Sequence, residues 1–436
     1  MYPESPFLNT LVESQILKEN SCLLNELLPW LCEAPTVTTY RVNLLKTTVE
    51  SFTNIVQQKL KEKYTEEPKV FQIPELPEMV CISKVEEPIH EDIERKEVIV
   101  DTSCASAVLR GAHIYAPGVL AMESGTKVQE EVSVYADLTG VCKRGTSIRL
   151  NMPHKLFIGI GVTRMQRYQL YNQNAAMEGI AIEMKSTISG VPTIGNLSSE
   201  LALLQNLPSI VCVRVLDPQP DEVILDMCAA PGNKTTHIVE MMKDTGIVVA
   251  LDKTIDKIRH IDDKIKTNNI QSVRTFAFDA TKSFNDKQET TSRELLIPPF
   301  AANTFDRILL DGPCSSLGNR PTLASKLTTR MLASYPNIQR KLFENAVPLL
   351  KPNGVLVYST CTITEDENEC IVAWALKKFP QLRLVDAVPR FGGFGLPNLG
   401  LTEQQCSCVQ RFGHTNISSK NADTIGFFIA KFVKNN

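Results

Sequence analysis

The stretch that decides the fold is EVILDMCAAPGNKTTHIVEMMKDTGIVVALD, residues 222–252. It contains an apolar run, a turn of small residues, a segment with helical spacing of apolar residues, and a second apolar run ending in Asp252. Two short apolar strands separated by a helix are typical of a parallel β-α-β unit. This stretch therefore predicts the start of an α/β domain.

The same alternation continues toward the C-terminus. Further apolar runs occur at residues 273–279, 306–311 and 354–360, with helical segments between them. Five such runs predict a doubly wound, mostly parallel sheet, because parallel strands need crossover helices that cover both faces. The last run, GFFIAKFV at residues 426–433, is expected to add an antiparallel strand at the edge of this sheet.

The residues before this domain have a different character. Residues 1–100 mix helical and strand-like segments, whereas residues 101–188 contain short β runs punctuated by Gly and Pro. The second pattern suggests a small β-barrel. We therefore expect an α+β N-terminal cap at 1–100, an inserted small barrel at 101–188 and the α/β domain at 189–436.

Composition excludes several classes of protein. The twelve cysteines include no CxxC pair, which argues against a disulfide framework and a zinc ribbon, so no metal site is expected. The N-terminus does not resemble a secretory signal, and no run approaches about 18 apolar residues, so no membrane span is expected. These features favour a monomer in the reducing cytoplasm.

Two segments without Asp or Glu carry local positive charge, although the net charge is −3. Locally basic surfaces on a nearly neutral chain are typical of selective polyanion binders, but they can also be ordinary solvated surfaces. The first segment, residues 138–177, contains Lys143, Arg144, Arg149, Lys155, Arg164 and Arg167, and the second, residues 312–343, contains Arg320, Lys326, Arg330, Arg340 and Lys341.

Ligands of doubly wound sheets bind beyond the carboxyl ends of the strands, so the residues that follow each strand matter most. The turn after the first strand leads into a helix whose N-terminal amides can meet an anion. It lacks both GxxxxGK[ST] and GxGxxG, which disfavours a Walker loop and a dinucleotide site. The turn consists of Cys228, Ala229, Ala230, Pro231, Gly232, Asn233 and Lys234.

The second and third strands end in aspartates. Asp252 is placed to accept hydrogen bonds from both hydroxyls of a ribose, and Asp279 to accept one from an adenine amino group. Alternatively, either residue could simply cap the helix that follows it. Together with the anion-binding turn, the two aspartates indicate a nucleoside that carries a small zwitterion, and S-adenosylmethionine fits this description.

The fourth and fifth strands lead to Asp311, Cys314 and Cys361. Two thiols and a carboxylate in one cleft suit methylation of cytosine at C5, because a thiolate added at C6 activates C5 and a base then removes the C5 proton. The same residues leave open a DNA cytosine methyltransferase that attacks with Cys314, a non-catalytic RNA-binding scaffold, and a redox sensor.

Three motifs resemble those of the Nop/Sun RNA cytosine-5 methyltransferases: LDMCAAPGNKT at 225–235, ILLDGPCSSLG at 308–318 and VYSTCTITEDENE at 357–369. The resemblance implies a class I, Rossmann-like methyltransferase fold. It also implies that Cys361 attacks cytosine C6, that Cys314 assists product release, and that Asp311 orients the base beside Lys234. Residues 228–234, Asp252, Asp279 and Asp311 would hold S-adenosylmethionine.

The segment CASAVLRGAHIYAPGV, residues 104–119, resembles a PUA RNA-binding domain. Within the Nop/Sun family, a PUA domain ahead of the catalytic core implies a tRNA substrate whose acceptor stem and CCA end are bound by that domain. Arg110, His113, Tyr115, Lys143 and Arg144 are then candidates for RNA contact. The alternative is that His113 and Tyr115 are ordinary barrel residues.

The chain departs from the Nop/Sun pattern at Asn233 and Ser316, where Gly is usual, and at Gly312, where Ala is common. Asn tolerates a left-handed backbone, whereas Ser316 adds bulk beside a catalytic turn. We expect Cys361 to be only modestly acidified in the free protein, with a pKa that is not well below 6, and to be activated mainly in the ternary complex. A helix start at ITEDENE, Lys234 and the sulfonium of the methyl donor would supply the positive potential. The acidic residues 365–369 would oppose it unless they face away from the thiol, as first-turn carboxylates facing solvent can.

Overall fold

The computed structural model describes residues 2–86, 89–151, 154–171, 178–195, 197–288, 296–414 and 423–436. The N-terminal region contains three helices and three strands. A predicted strand and amphipathic helix are present there, and the helix buries Phe52, Val56 and Leu60 along one face. Its elements are α1 (Glu13–Ile16), α2 (Leu24–Cys32), β1 (Val37–Val42), α3 (Val49–Lys63), β2 (Val70–Phe71) and β3 (Met79–Ser83).

The next region forms a six-stranded sheet in the order β5-β9-β8-β7-β4-β6. It begins with residues 96–100, which the sequence placed in the N-terminal region, because this strand pairs with two later strands. Its elements are β4 (Lys96–Val100), α4 (Thr102–Leu109), β5 (Ile114–Tyr115), β6 (Val119–Met122), β7 (Glu131–Asp137), β8 (Lys155–Thr163), α5 (Arg167–Tyr171) and β9 (Ile180–Thr187).

Helix α4 lies where the sequence suggested only short β runs. Asp101 caps it by accepting a hydrogen bond from the Cys104 amide, and Ala105, Val108 and Leu109 are buried at helical spacing. Ala105 and Val108 lie on the same face of the helix, as residues three positions apart do. The β expectation for this stretch was therefore wrong, because local capping and the 3.6-residue period decide its structure.

The last region carries the large sheet, in the order β13-β12-β11-β14-β15-β18-β16, with β17 paired to β18. Its elements are β10 (Ala202–Leu204), α6 (Leu207–Leu216), β11 (Val223–Asp226), α7 (Asn233–Met241), β12 (Ile247–Asp252), α8 (Ile255–Asn268), β13 (Val273–Ala277), β14 (Phe305–Asp311), α9 (Thr329–Leu349), β15 (Leu350–Thr360), α10 (Glu369–Lys378), β16 (Leu382–Val385), α11 (Glu403–Cys408), β17 (Gln410–Phe412) and β18 (Phe427–Lys434).

The five predicted strands β11 to β15 are parallel neighbours, and the predicted α/β fold is confirmed. Both faces of the sheet are buried, with Leu225 and Tyr358 in one core and Ile224 and Val357 in the other. This two-sided burial explains why the strands are continuous apolar runs. Strand β18 is antiparallel as expected, but it is not at the edge, because β16 pairs along its other side.

Two connections tie the N-terminal region to the catalytic domain. Strand β10 pairs with β1 in a four-stranded sheet, although the sequence placed residues 202–204 in the α/β domain. The side chains of Leu27 and Leu31 share a hydrophobic core with Leu317 and Ile363. The N-terminal helices therefore support the loops that follow β14 and β15. Within the described ranges, no helix is both long enough and apolar enough to cross a membrane.

Candidate active site

Two cysteines meet beyond the carboxyl ends of β14 and β15. The strands pair in parallel, with Asp311 opposite Ser359, so the loops that follow them leave the sheet at the same edge. Cys314 lies in the first loop and Cys361 in the second, and their Sγ atoms are 3.4 Å apart. The strand order thus brings together the two thiols that the sequence placed 47 residues apart.

The two loops are locked to each other through a pair of glycines. The Gly318 amide donates to the Cys361 carbonyl at 2.9 Å, and the Gly426 amide donates to the Gly318 carbonyl at 2.8 Å. A Cβ on Gly318 would lie 2.0 Å from the Gly426 carbonyl oxygen. Only glycine fits at this close approach, so Gly318 keeps the Cys314 loop against Cys361.

The buried carboxylate of Glu367 holds the Cys314 loop in place through hydrogen bonds to Ser315. Glu367 is 1% exposed and accepts hydrogen bonds from the Ser315 amide at 2.9 Å, the Gln339 side-chain amide at 3.0 Å and the Thr364 hydroxyl at 2.9 Å. The Ser315 hydroxyl also donates to it. These donors compensate for the cost of burying the charge and fix the residue next to Cys314.

The neighbouring carboxylates Glu365 and Glu369 are buried as well, so they do not face solvent as first-turn carboxylates can. Glu365 accepts from the amides of Lys18, Glu19 and Asn20, and Glu369 forms an ion pair with Arg411 at 2.8 Å. Each carboxylate is buried because another segment supplies its donors. Only the Asp366 carboxylate is well exposed in this stretch.

The activation of Cys361 also differs in its cause from the sequence expectation. Helix α10 begins only at Glu369, so the amides of its first turn do not meet the thiol. The pKa of Cys361 is lowered to about 7, chiefly because the Cys314 thiol donates to it. Burial opposes this shift, and the Ser316 hydroxyl supports it. The acidification is modest, as expected, but its main source is the second cysteine.

The same hydrogen bond and burial raise the pKa of Cys314 well above its usual value. Deprotonation of the pair therefore falls on Cys361, with Cys314 keeping its proton. The thiolate, which is the nucleophilic form of cysteine, is therefore favoured at Cys361 over Cys314.

An ion pair lies beside the sulfur atoms. Lys234 Nζ, in the first turn of α7, is 2.7 Å from Asp311 Oδ2, and the Ser359 hydroxyl donates to Asp311 Oδ1 at 2.6 Å. Burial disfavours the ammonium, but the attraction of Asp311, together with that of the Cys212 and Cys361 thiols, outweighs burial and raises the pKa of Lys234. Ser359 was missed from the sequence, although its place at the end of β15, opposite Asp311, is the kind of position that the strand-end rule selects.

The turn after β11 has its left-handed residue at Gly232, with a φ of +91°, and not at Asn233. Asn233 begins α7, and its side chain accepts a hydrogen bond from Lys264. The conformational tolerance invoked for Asn233 is therefore not needed, because Gly232 provides it. Cys228 in the same turn is half-buried near Asp226 and Asp252, and desolvation raises the pKa of its thiol well above the usual value.

The two strand-end aspartates both bind backbone amides. Asp252 accepts from the amides of Ala230 at 3.1 Å and Lys253 at 2.7 Å, which ties β12 to the turn after β11. Asp279 accepts from the amide and the hydroxyl of Thr281, so it caps the short 3₁₀ turn at residues 280–282. The capping alternative thus holds for Asp279, whose second oxygen is 3.8 Å from Lys253 Nζ.

A third aspartate, Asp226, was missed although it ends the first strand. Its Oδ2 accepts from the Thr235 hydroxyl at 2.8 Å, while Oδ1 is buried without a hydrogen-bond partner among the described residues. Burial raises its pKa to about 7. An orphaned acceptor at the cleft suits a donor group supplied by a ligand.

The PUA-like candidates divide into exposed and structural residues. Tyr115 is 55% exposed, and Lys143 is also exposed. Arg110 donates to the Arg320 carbonyl at 3.2 Å and Arg144 to the Pro117 carbonyl at 2.8 Å, so both guanidinium groups hold the protein's own backbone. His113 Nδ1 accepts from the Met184 amide at 3.1 Å, which makes it a structural residue of the sheet.

Half of the six cations in the first basic segment pair with acids from other segments. Arg149 pairs with Glu123 at 2.9 Å, Lys155 pairs with Glu97 at 2.7 Å, and Arg164 pairs with Glu183. These three residues therefore fit the alternative of an ordinary solvated surface. In the second segment Arg320 is buried against Asp423, whereas three cations remain exposed on the loop before α9 and on α9 itself, namely Lys326, Arg330 and Lys341.

Residues 213–433 match the family described as 16S rRNA methyltransferase RsmB/F, and residues 96–186 match the PUA domain. A mouse protein named tRNA (cytosine(72)-C(5))-methyltransferase NSUN6 is 40% identical over 99% of this chain and 94% of its own. A Pyrococcus horikoshii protein named tRNA (cytosine(72)-C(5))-methyltransferase is 32% identical over 90% of this chain and 88% of its own. The chain belongs to the NSUN6-like cytosine-5 methyltransferases.

The crystal structure of NSun6 from Pyrococcus horikoshii with SFG has the same architecture, with a TM-score of 0.71 and 28% identity. The match covers 97% of this chain and 100% of that chain, and SFG is an analogue of S-adenosylmethionine. The resemblance drawn from the motifs is thus confirmed. This NSUN6-like chain is an enzyme of an S-adenosylmethionine-dependent family.

Proposed function

We propose that this NSUN6-like enzyme methylates C5 of cytosine 72 in tRNA, with Cys361 as the nucleophile and Cys314 as the residue that aids product release. The position follows the printed names of the mouse and Pyrococcus relatives. The observation that carries the chemistry is the 3.4 Å contact between the two Sγ atoms beside the Lys234–Asp311 pair.

In the first step, the Cys361 thiolate forms a bond from Sγ to cytosine C6, which makes C5 electron-rich. Asp311 orients the cytosine ring by accepting hydrogen bonds from it. Its two oxygens each accept one hydrogen bond within the protein, so each keeps a second lone pair for the base. Lys234 donates to Asp311 at 2.7 Å and holds its carboxylate in place.

In the last step, the proton leaves C5, the bond between C6 and Sγ breaks, and Cys361 departs as a thiolate. The hydrogen bond to Cys361 is the main cause of the raised pKa of Cys314. That hydrogen bond changes once Cys361 Sγ is bonded to C6, so Cys314 ionises more readily in the adduct. A thiol that becomes more acidic only after addition suits a role in removing the C5 proton.

The residues at the ends of β11, β12 and β13 fit S-adenosylmethionine. Asp226 offers the orphaned buried oxygen to an ammonium group, and the amides at the start of α7 can receive a carboxylate. Asp252 and the second oxygen of Asp279 suit the ribose and the adenine, and residues 228–232 line the site. Bound there, S-adenosylmethionine supplies an electrophilic methyl group.

For the RNA, we propose that the PUA domain binds the acceptor stem and CCA end. Tyr115 supports this proposal because an exposed aromatic ring can stack on an unpaired base. Lys143, Lys326, Arg330 and Lys341 are exposed cations suited to backbone phosphates. We also propose that the protein acts in the cytoplasm, where a reducing environment keeps all twelve cysteines, including the adjacent pair, as free thiols.

Covalent trapping of tRNA separates the roles of the two cysteines. We expect Cys361→Ala to form no protein–RNA adduct on a denaturing gel, and Cys314→Ala to accumulate it in the presence of S-adenosylmethionine, because release is then blocked. Cys406→Ala, a buried thiol on α11, serves as the control and should turn over normally. The reverse result for Cys314 and Cys361 would assign the nucleophile to the DNA-type position and refute the proposal.

Bisulfite sequencing of RNA from cells with and without the protein tests the substrate. We expect loss of methylation at cytosine 72 of a subset of tRNAs. If no cytosine changes, the proposed substrate is wrong, and binding of labelled S-adenosylmethionine then shows whether the fold serves only as a scaffold.

A further inference from the structure

Ser316 occupies a position that the backbone itself does not favour. Its φ is +58°, in the left-handed region that L-residues other than Gly, Asn and Asp rarely adopt. The Asn319 amide donates to the Ser316 carbonyl at 3.1 Å and closes the turn. Ser315 and Leu317 on either side are buried, so the backbone of Ser316 is held even though its side chain is exposed.

The hydroxyl of Ser316 contacts both sulfur atoms. Its Oγ is 3.4 Å from Cys361 Sγ and 3.9 Å from Cys314 Sγ. Glycine would relieve the backbone and remove these contacts. The strained turn therefore holds a hydroxyl group against the pair of thiols that carries out the chemistry.

A hydroxyl can keep this contact when Cys361 ionises. The protonated thiol donates to Ser316 Oγ, and after ionisation the hydroxyl can rotate to donate to the thiolate, because it is both donor and acceptor. Hydrogen bonds to charged groups are stronger than those between neutral groups. The contact therefore favours the thiolate over the thiol.

The other groups around Cys361 do not replace this donor. Lys234 and Asp311 act on Cys361 with opposite signs and are paired with each other at 2.7 Å. Glu367 and Tyr335 approach the pair from the side of Cys314, and a carboxylate there disfavours a second negative charge. The remaining side-chain contact, from the Asn319 amide, is 4.0 Å long. The donors close to the Cys361 sulfur are thus the Cys314 thiol and the Ser316 hydroxyl.

We propose that Ser316 is a positioning residue for Cys361, whose hydroxyl orients the thiol and stabilises the thiolate until it adds to cytosine. This inference rests on the proposed function, in which Cys361 is the nucleophile. It explains why a residue with a side chain occupies a left-handed position at the mouth of the cleft.

Single-turnover methyl transfer to tRNA, measured between about pH 6 and pH 9.5, tests the role of the hydroxyl. We expect Ser316→Ala to react about fivefold more slowly at pH 7, because a rise of about one unit from a pKa of about 7 lowers the thiolate fraction from about a half to about a tenth. At high pH, where Cys361 is ionised without help, the rate should return to within about twofold of the wild type, with KM for tRNA unchanged.

Two further variants make the result unambiguous. Glycine adopts a positive φ without strain, so Ser316→Gly should melt at a higher temperature than Ser316→Ala. It should show the same shifted pH profile. Ser334→Ala removes an exposed hydroxyl on α9 that donates only to the Met331 carbonyl, and it should leave the rate unchanged.

An unchanged profile in both Ser316 variants would overturn the inference, and so would an equal loss at every pH, since that would assign the hydroxyl to substrate placement. Neither result would affect the role of Cys361. If Cys361→Ala itself still formed the adduct, the proposed function would fail whatever the Ser316 variants did.

Discussion

The sequence predicted functional residues in both the catalytic cleft and the PUA domain, but the structure brings them together only in the cleft. In the cleft, residues from the ends of β11, β14 and β15 converge on two sulfur atoms 3.4 Å apart. In the PUA domain, Arg149, Lys155 and Arg164 are neutralised by acids from other segments. A residue that follows a parallel strand can be placed from the sequence, because the carboxyl ends of all such strands meet at one edge of the sheet. A count of charges along the chain does not predict a basic surface, because acids from other segments can pair with the cations.

The largest effect is expected for Asp311→Asn, which tests whether the position at the strand end matters. We expect methyl transfer to fall about 100- to 1000-fold, because the variant removes the charge that orients the cytosine and balances Lys234. Asp306→Asn is the matched control, since Asp306 lies on the same strand and pairs with Lys351 at the same distance of 2.7 Å. The control should stay within about twofold of the wild type. Equal losses in single-turnover assays would mean that the position at the strand end has no special importance.

The buried carboxylates behind the cleft allow a finer comparison. Glu367→Ala and Glu365→Ala should each lower the free energy of unfolding by about 2 kcal/mol, because each leaves several buried donors unsatisfied. Only Glu367→Ala should also slow iodoacetamide labelling of Cys361, by about tenfold at pH 7, since Glu367 holds the loop that carries Cys314. Urea titration and mass spectrometry measure the two effects. Slow labelling in Glu365→Ala as well would show that the N-terminal segment also sets the thiol geometry.

The smallest expected effect lies in the PUA domain. Tyr115→Ala should weaken tRNA binding about fivefold through lost stacking, whereas Arg149→Ala should leave affinity within about twofold and lower the melting temperature. The reason is that Tyr115 is 55% exposed, while Arg149 pairs with Glu123. Filter binding at two salt concentrations distinguishes them. A larger loss of tRNA affinity for Arg149→Ala than for Tyr115→Ala would instead indicate that Arg149 contacts the RNA.

Much of the fold was predictable because the apolar runs of β11 to β15 are buried on both faces and carry a strong pattern. Helix α4 and the interior place of β18 were not, since one depends on an Asp101 cap and the other on a short partner strand, β16. In the site, Cys314, Cys361 and Asp311 were found from their positions after strands. Ser359 and Asp226 obey the same rule and were overlooked.

By itself, the sequence determined which groups follow each strand, and therefore that two thiols, a lysine and a carboxylate share one edge of a parallel sheet. Only the tertiary structure decided how those groups act on one another. Cys361 is acidified by Cys314 and Ser316 and not by a helix, and Glu365, Glu367 and Glu369 face inward because distant segments supply their donors. Strand order follows from local patterns of hydrophobicity, whereas hydrogen bonds and burial depend on residues that are far apart in the chain.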